Sequence, residues 1–128
     1  MIILGVGIDI IKNSRIKKSI MNKKFINRVF SKLEIAKLTR IQNKVAYLSK
    51  RFAAKEAFSK ALGTGFRESL QYKDISITND SNGKPYLKIS TKLGKILMKR
   101  FSTKKVNIFL SLSDEKNYSI AFIVIQKK

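Results

Sequence analysis

The stretch "RFAAKEAFSKALGTG", residues 51–65, decides how this chain folds. At about 100° per residue, Ala46, Ala53, Ala54, Ala57, Phe58 and Ala61 share one apolar helix face. Small alanines there let another element approach closely. The helix covers approximately residues 45–62 and stops at Gly63, as a glycine C-cap does. Leu48 and Phe52 fall elsewhere on the wheel, beside a polar stripe of Ser49, Glu56 and Lys60. Glu56 and Lys60 stand four apart with the acid first, the order that favours a helical ion pair. On a solvated surface such a pair contributes only about 0.3–0.5 kcal/mol. Acids are scarce, however, at 8 against 28 basic residues, and that scarcity asks more of Glu56.

Before this helix, residues 2–11 alternate as a strand, with Ile2, Leu4, Val6, Ile8 and Ile10 on one face. The opposite face carries Gly5, Gly7 and Asp9, which predicts open space beside a carboxylate in a buried strand. A basic helical stretch follows and includes residues 23–30. Ser31 precedes Glu34 by three residues, a capping-box pattern that opens a helix over "KLEIAKLTRI". After the long helix, "DISITND" and "KPYLKIS" flank Ser81, Asn82 and Gly83, a hairpin signal. Ser90 or Thr91 caps a short helix, and two strands joined by a polar turn at residues 114–117 close the chain. The fold class is α+β, a mostly antiparallel sheet with a long central helix, in one domain over residues 1–128.

Composition sets bounds on function. The chain has no cysteine, so disulfides and thiolate metal sites are excluded, and no histidine, so histidine enters no catalytic scheme. No apolar run approaches the ~20 residues of a membrane span. The N-terminal segment carries an aspartate in its middle and reads as a strand, not a signal peptide. These features predict a soluble cytoplasmic protein. The net charge of +20 predicts a polyanionic partner, but the lysines are dispersed and form no single basic block. A nucleic-acid module would gather them on one face with stacking aromatics, whereas most Phe and Tyr here sit at periodic core positions.

Glu34 has its capping role, and Asp74, Asp80, Asp114 and Glu115 lie in or near strand ends and turns, with Glu68 in a loop. That leaves Asp9 and Glu56 inside strongly apolar elements, where a carboxylate is costly unless paired or bound to a cation. Two carboxylates on two rigid elements are what a magnesium site needs, with substrate phosphates completing the shell. Arg51, Lys55 and Lys60 offer cations for those phosphates, and the "GTG" loop at residues 63–65 lets a ligand approach the backbone.

Taken together, "GIDI" at residues 7–10, "RFAAKEAFSKALGTG" at 51–65 and "NGKP" at 82–85 resemble holo-acyl-carrier-protein synthase. That family is the small, stand-alone class of 4′-phosphopantetheinyl transferase, and the resemblance spans essentially the whole chain. It implies transfer of the phosphopantetheine arm of coenzyme A to a serine of apo acyl carrier protein, with adenosine 3′,5′-bisphosphate released. By the same resemblance Asp9 and Glu56 match the magnesium (Mg2+) ligands, and Lys60 matches the lysine that holds the phosphates and helps the leaving group. Arg51, Gly63, Asn82 and Pro85 would join Lys60 around coenzyme A. Proton removal from the serine would fall to a carboxylate or a metal-bound water, with Glu56 the candidate. Arg15, Lys24, Phe25 and Arg28 match the surface that docks the acidic carrier protein, whereas Lys17, Lys18 and Lys23 read as a solvated face. The resemblance further implies a homotrimer with active sites between subunits.

One departure stands out. Where the resemblance implies a "SISH"-like strand end, this chain reads "SLSD", with Asp114 in the histidine's place as a turn residue. An ionised acid cannot donate as a histidine does, which bears on coenzyme affinity and rate more than on reaction class. An inactive member of the same fold is the rival reading, and retention of Asp9, Glu56 and Lys60 argues against it.

Overall fold

The computed structural model describes residues 1–63 and 70–128. Thr64 and Gly65 of the "GTG" loop, and Glu68, therefore lie outside the described residues. Strand β1 (Ile2–Lys12) leads into helices α1 (Asn13–Ser19), α2 (Lys23–Val29) and α3 (Lys32–Ala36). A 3-10 turn at Lys37–Arg40 replaces the second half of the helix expected after Ser31. The long helix α4 (Lys44–Leu62) follows. A 3-10 turn at Tyr72–Asp74 precedes the hairpin β2 (Ile75–Asn79) and β3 (Pro85–Ile89), then α5 (Thr91–Arg100), β4 (Val106–Asp114) and β5 (Tyr118–Lys127). The fold is α+β, as the sequence predicts, with every paired strand antiparallel.

Local chemistry explains the helix ends. Asn43 caps α4 by accepting from the Ala46 amide at 3.1 Å, and Gly63 ends it in the left-handed region at φ 85°. Ser31 and Glu34 form the expected capping box of α3, and Ser90 caps α5. Asp114 is a correction, because it completes β4 opposite Ser119 and is not a turn residue.

Strand β5 runs between β1 and β4. Its inward residues Ala121, Ile123 and Ile125 are fully buried, and α4 lies across that face of the sheet. The approach is close because β1 presents glycines to the helix. A Cβ on Gly5 would stand 2.0 Å from the Ala61 carbonyl oxygen, and one on Gly7 would stand 1.8 Å from that of Ala57. The glycines thus leave no open space beside Asp9; helix backbone occupies it. Burial in β1 is also the reverse of the expectation. Gly7 and Ile11 are buried, whereas Ile2, Val6, Ile8 and Ile10 are exposed. Only Leu4 of that set packs on the core, at the register shift between Ile3 and Gly5. Phe109 and Phe122 are likewise exposed and not core residues.

Helix α4 is buried on nearly all sides, with Leu48 and Phe52 as enclosed as the alanine face. Ala46 is the partial exception, half-buried near the N-terminus. Strands β1, β5 and β4 and helix α1 all pack on it, so α4 is the axis of the fold and buries polar Ser49, Arg51 and Lys55 along with its apolar residues. No helix among the described residues is long and apolar enough to cross a membrane.

Candidate active site

Gly5 meets α4 at Ala61 and Gly7 meets it at Ala57, so two strand residues advance against one helical turn. The next step brings Asp9 level with the turn before Ala57, which carries Glu56. Both carboxylates are half-buried. Lys60 Nζ donates to Asp9 Oδ1 at 3.1 Å, with the lysine side chain 57% exposed and the aspartate 15%. Lys60 therefore pairs across the helix–strand gap instead of along the helix. Glu56 Oε1 accepts from the Tyr72 hydroxyl at 2.6 Å.

Tyr72 was not anticipated among the site residues. The signal available was an aromatic in the polar run "QYKD", whose hydroxyl needs a partner wherever its ring is covered. Its ring stacks on Phe52 at 5.9 Å and 16°. Its phenol is pushed well above the ordinary value, first by burial and then by the hydrogen bond and charge of Glu56. Arg28 opposes that shift and Asp9 adds to it. Asp9, Glu56, Arg28 and Tyr72 thus share one electrostatic neighbourhood, in which Tyr72 stays a donor at neutral pH.

Lys55 is the clearest correction. It is fully buried and its ammonium is taken up by acceptors inside the protein: Nζ donates to Glu34 Oε1 at 2.6 Å, the Val29 carbonyl at 2.7 Å and the Tyr72 carbonyl at 3.2 Å. Burial depresses the Lys55 ammonium, and the attraction of Glu34 opposes that. Glu34 is more than a cap. It is fully buried, accepts from the Ser31 and Ile77 amides at 2.9 Å each, and joins α3, α4 and β2. Breaking such a buried pair by removing one partner costs about 3–5 kcal/mol. The sequence gives these residues helical spacing but not the fold that brings them together, 21 positions apart.

The other expected ligand contacts spread along α4. The Arg51 guanidinium lies 3.6 Å over the Tyr47 ring and donates to the Asn79 side chain at 3.2 Å. Burial lowers its affinity for the proton, and its buried Nε lacks a hydrogen-bond partner among the described residues. Asn79 in turn donates to the Gly83 carbonyl and pairs in register with Pro85. Arg51 therefore meets the hairpin of Asn82 and Pro85 through Asn79, with Asn82 exposed at its tip. Gly63 sits about 18 Å further along the helix, beside Arg100, and is not gathered with them. Asp114 forms an ion pair with Lys50 at 3.6 Å, next to Arg51 on α4.

Of the four docking candidates, Lys24, Phe25 and Arg28 line one open groove of 580 Å³ with Lys18 and Asn22. Lys18 thus belongs to the groove and not to a featureless solvated face. Arg28 lies 5.9 Å from the Phe25 ring and also borders a 390 Å³ groove lined by Tyr72. Arg15 stands apart, exposed on α1, whose start is fixed when Asn13 binds the Ser119 hydroxyl.

The residues present fit a hard divalent cation. Asp9 and Glu56 supply carboxylate oxygens from a strand and a helix packed backbone to backbone, and no cluster of three or more acids gathers among the described residues. One or two carboxylates, with substrate phosphates and water, is the usual habit of magnesium.

The family model described as ACPS, 4′-phosphopantetheinyl transferase superfamily, matches residues 5–123. The chain is 56% identical over 126 residues to the holo-[acyl-carrier-protein] synthase of Pelagibacter ubique (strain HTCC1062), covering 98% of each chain. Among solved structures it is similar to a holo-(acyl-carrier-protein) synthase from Bacillus anthracis in complex with CoA (3′,5′-ADP). There the TM-score is 0.82 and the identity 34%, with both chains fully covered. It is also similar to the Helicobacter pylori holo-[acyl-carrier-protein] synthase in complex with coenzyme A. That match has a TM-score of 0.77 and 30% identity, covering 94% of this chain and 99% of the other.

Proposed function

Because the chain belongs to the 4′-phosphopantetheinyl transferase superfamily as a holo-[acyl-carrier-protein] synthase, we propose that its site at Asp9, Glu56 and Lys60 performs a magnesium-dependent transfer from coenzyme A to an acidic carrier protein. The observation that carries this reading is the Asp9–Lys60 pair at 3.1 Å, with Glu56 one turn before Lys60 on the same helix. The carrier's serine oxygen attacks the β-phosphorus of coenzyme A. The bond from that phosphorus to the bridging oxygen breaks, and adenosine 3′,5′-bisphosphate leaves through its α-phosphate. Glu56 takes the serine proton. The exposed Lys60 ammonium swings to the phosphates and stabilises the charge that builds on the leaving oxygen. Magnesium, held by Asp9 and Glu56, would neutralise the pyrophosphate. Arg51, Gly63, Asn82 and Pro85 receive the coenzyme, which is long enough to need contacts along most of α4.

The carrier protein docks on Arg15, Lys24, Phe25 and Arg28, where exposed cations border a half-buried aromatic. The enzyme acts in the cytoplasm, in fatty acid biosynthesis, as one domain per chain. It assembles as a homotrimer with active sites between subunits. The exposed Ile2, Val6, Ile8, Ile10, Phe109 and Phe122 support that assembly, since so large an apolar sheet face marks an interface.

Intact-mass spectrometry of apo carrier protein incubated with this protein and coenzyme A tests the reading. The expected result is a gain of one phosphopantetheine that requires magnesium and disappears in Glu56→Gln. Transfer that is unaffected by chelation, or that survives Glu56→Gln, overturns the metal assignment.

A further inference from the structure

Tyr72 has an oxygen that packing does not explain. A phenylalanine would stack on Phe52 equally well, and the Lys55 contact uses only the backbone carbonyl. The hydroxyl instead lies 2.6 Å from Glu56 Oε1, in the short range of a hydrogen bond to a charged carboxylate.

Three contacts among the described residues restrict the movement of Tyr72. Its ring is pressed on Phe52, which lies one turn before Glu56 on the same helix. Its carbonyl is gripped by Lys55, itself fixed by the buried Glu34. The 3-10 turn that carries it is closed by Asp74, whose carboxylate accepts from the Gln71 amide at 3.0 Å. A glutamate side chain left in water samples many rotamers, and ordering it on binding is costly. One whose oxygen is held by an immobile donor has already lost that freedom. From these contacts we propose that Tyr72 is a positioning residue, whose hydroxyl holds the Glu56 carboxylate in the single orientation used for the cation. Glu34, Lys55 and Tyr72 then form a continuous support running from the protein interior to Glu56.

The proposal rests on the reading of Asp9 and Glu56 as cation ligands, and the test separates the two. Mn2+ is titrated into the full-length wild-type protein, Tyr72→Phe and Glu56→Gln in the presence of coenzyme A. Free Mn2+ is read by electron paramagnetic resonance against a coenzyme-only blank. Tyr72→Phe keeps the ring stack and the Lys55 contact, and its thermal unfolding, followed by circular dichroism, confirms that it folds.

The expected result is that Glu56→Gln abolishes the site while Tyr72→Phe weakens it about tenfold, the scale typical for losing an outer-shell partner. The Mg2+ concentration for half-maximal transfer rises by the same factor, and by more than the turnover at saturating Mg2+ falls. A purely structural role would not produce that split. If Tyr72→Phe binds Mn2+ as tightly as wild type or more tightly, while Glu56→Gln loses it, the positioning role is wrong and the metal reading stands. If wild type and Glu56→Gln behave alike, the carboxylate site itself fails and takes this proposal with it.

Discussion

Lys60 Nζ meets Asp9 Oδ1 at 3.1 Å across the seam between α4 and β1, while the carboxylate one turn earlier on α4 receives the hydroxyl of Tyr72. The lysine is mostly exposed, so the pair adds little to stability, within the ~0–1 kcal/mol of a surface ion pair. Lys60→Ala is therefore expected to unfold at nearly the wild-type denaturant midpoint and to lose at least about a hundredfold in turnover, as removal of a charge-stabilising donor does. Paired denaturation and transfer assays decide this, and a variant with normal turnover would return Lys60 to the protein surface.

The contact of β1 with α4 makes a sharper demand on fold than on chemistry. Gly7→Ala would place its Cβ 1.8 Å from the Ala57 carbonyl oxygen, backbone against backbone, so strand and helix must part. Such overpacking should cost about 3 kcal/mol or more. Gly94 on α5 has open space around the same added carbon, and Gly94→Ala should stabilise by about 0.5–1 kcal/mol. Urea unfolding of the two variants tests both signs together.

Tyr47 gives a pH dependence with a definite sign. Its hydroxyl donates to the Glu34 carbonyl at 3.2 Å. Burial raises its pKa above the ordinary 10.0, Arg51 opposing and Glu34 adding to the shift. The unfolded chain releases this proton near pH 10 while the folded protein keeps it, so the contribution is whole below pH 10 and is lost as pH climbs through the folded value. Wild type should exceed Tyr47→Phe by about 1 kcal/mol at pH 8. That margin should shrink above pH 10 in denaturant titrations, and a constant margin would contradict the assignment.

The outward face of β1 should govern assembly. Ile10 is 60% exposed on that face. Ile10→Asp is expected to turn a trimer into a monomer in sedimentation velocity, with far-ultraviolet circular dichroism unchanged. Transfer activity should fall with it under the proposed assembly, in which the sites lie between subunits. A monomeric wild type would remove that face from the enzyme's assembly.

The docking proposed at α2 predicts a charge effect confined to the carrier protein. Arg28→Glu should raise the KM for carrier protein about tenfold while leaving the KM for coenzyme A nearly constant. Lys23→Glu, outside the groove, should do much less. Added salt should narrow the gap between Arg28→Glu and wild type, since screening weakens exposed charges most. Equal effects from the two variants would make the groove only part of a general basic surface.

The sequence by itself determined the parts of this protein whose causes are local. The α4 boundaries near Val45 and Leu62, the Gly63 stop, the Ser31–Glu34 box and the hairpin around Gly83 follow from neighbours a few residues apart, and the structure has each of them. The pairing of Asp9 with α4 was half legible: the small alanines of the helix predicted a close neighbour without identifying it, whereas the β1 glycines predicted open space that the helix backbone fills. Tertiary structure decided the rest. Periodicity gave β1 two faces but not which one α4 would cover, and the glycine face won because only it admits helix backbone at that distance. Glu34 read as a helix cap and Lys55 as a cation for phosphates until the fold brought them together, 21 positions apart, where burial makes each the other's charge partner. Tyr72 became part of the site for the same reason: its partner lies 16 residues away, and no local pattern encodes a contact made only when α4 and the turn before β2 are packed.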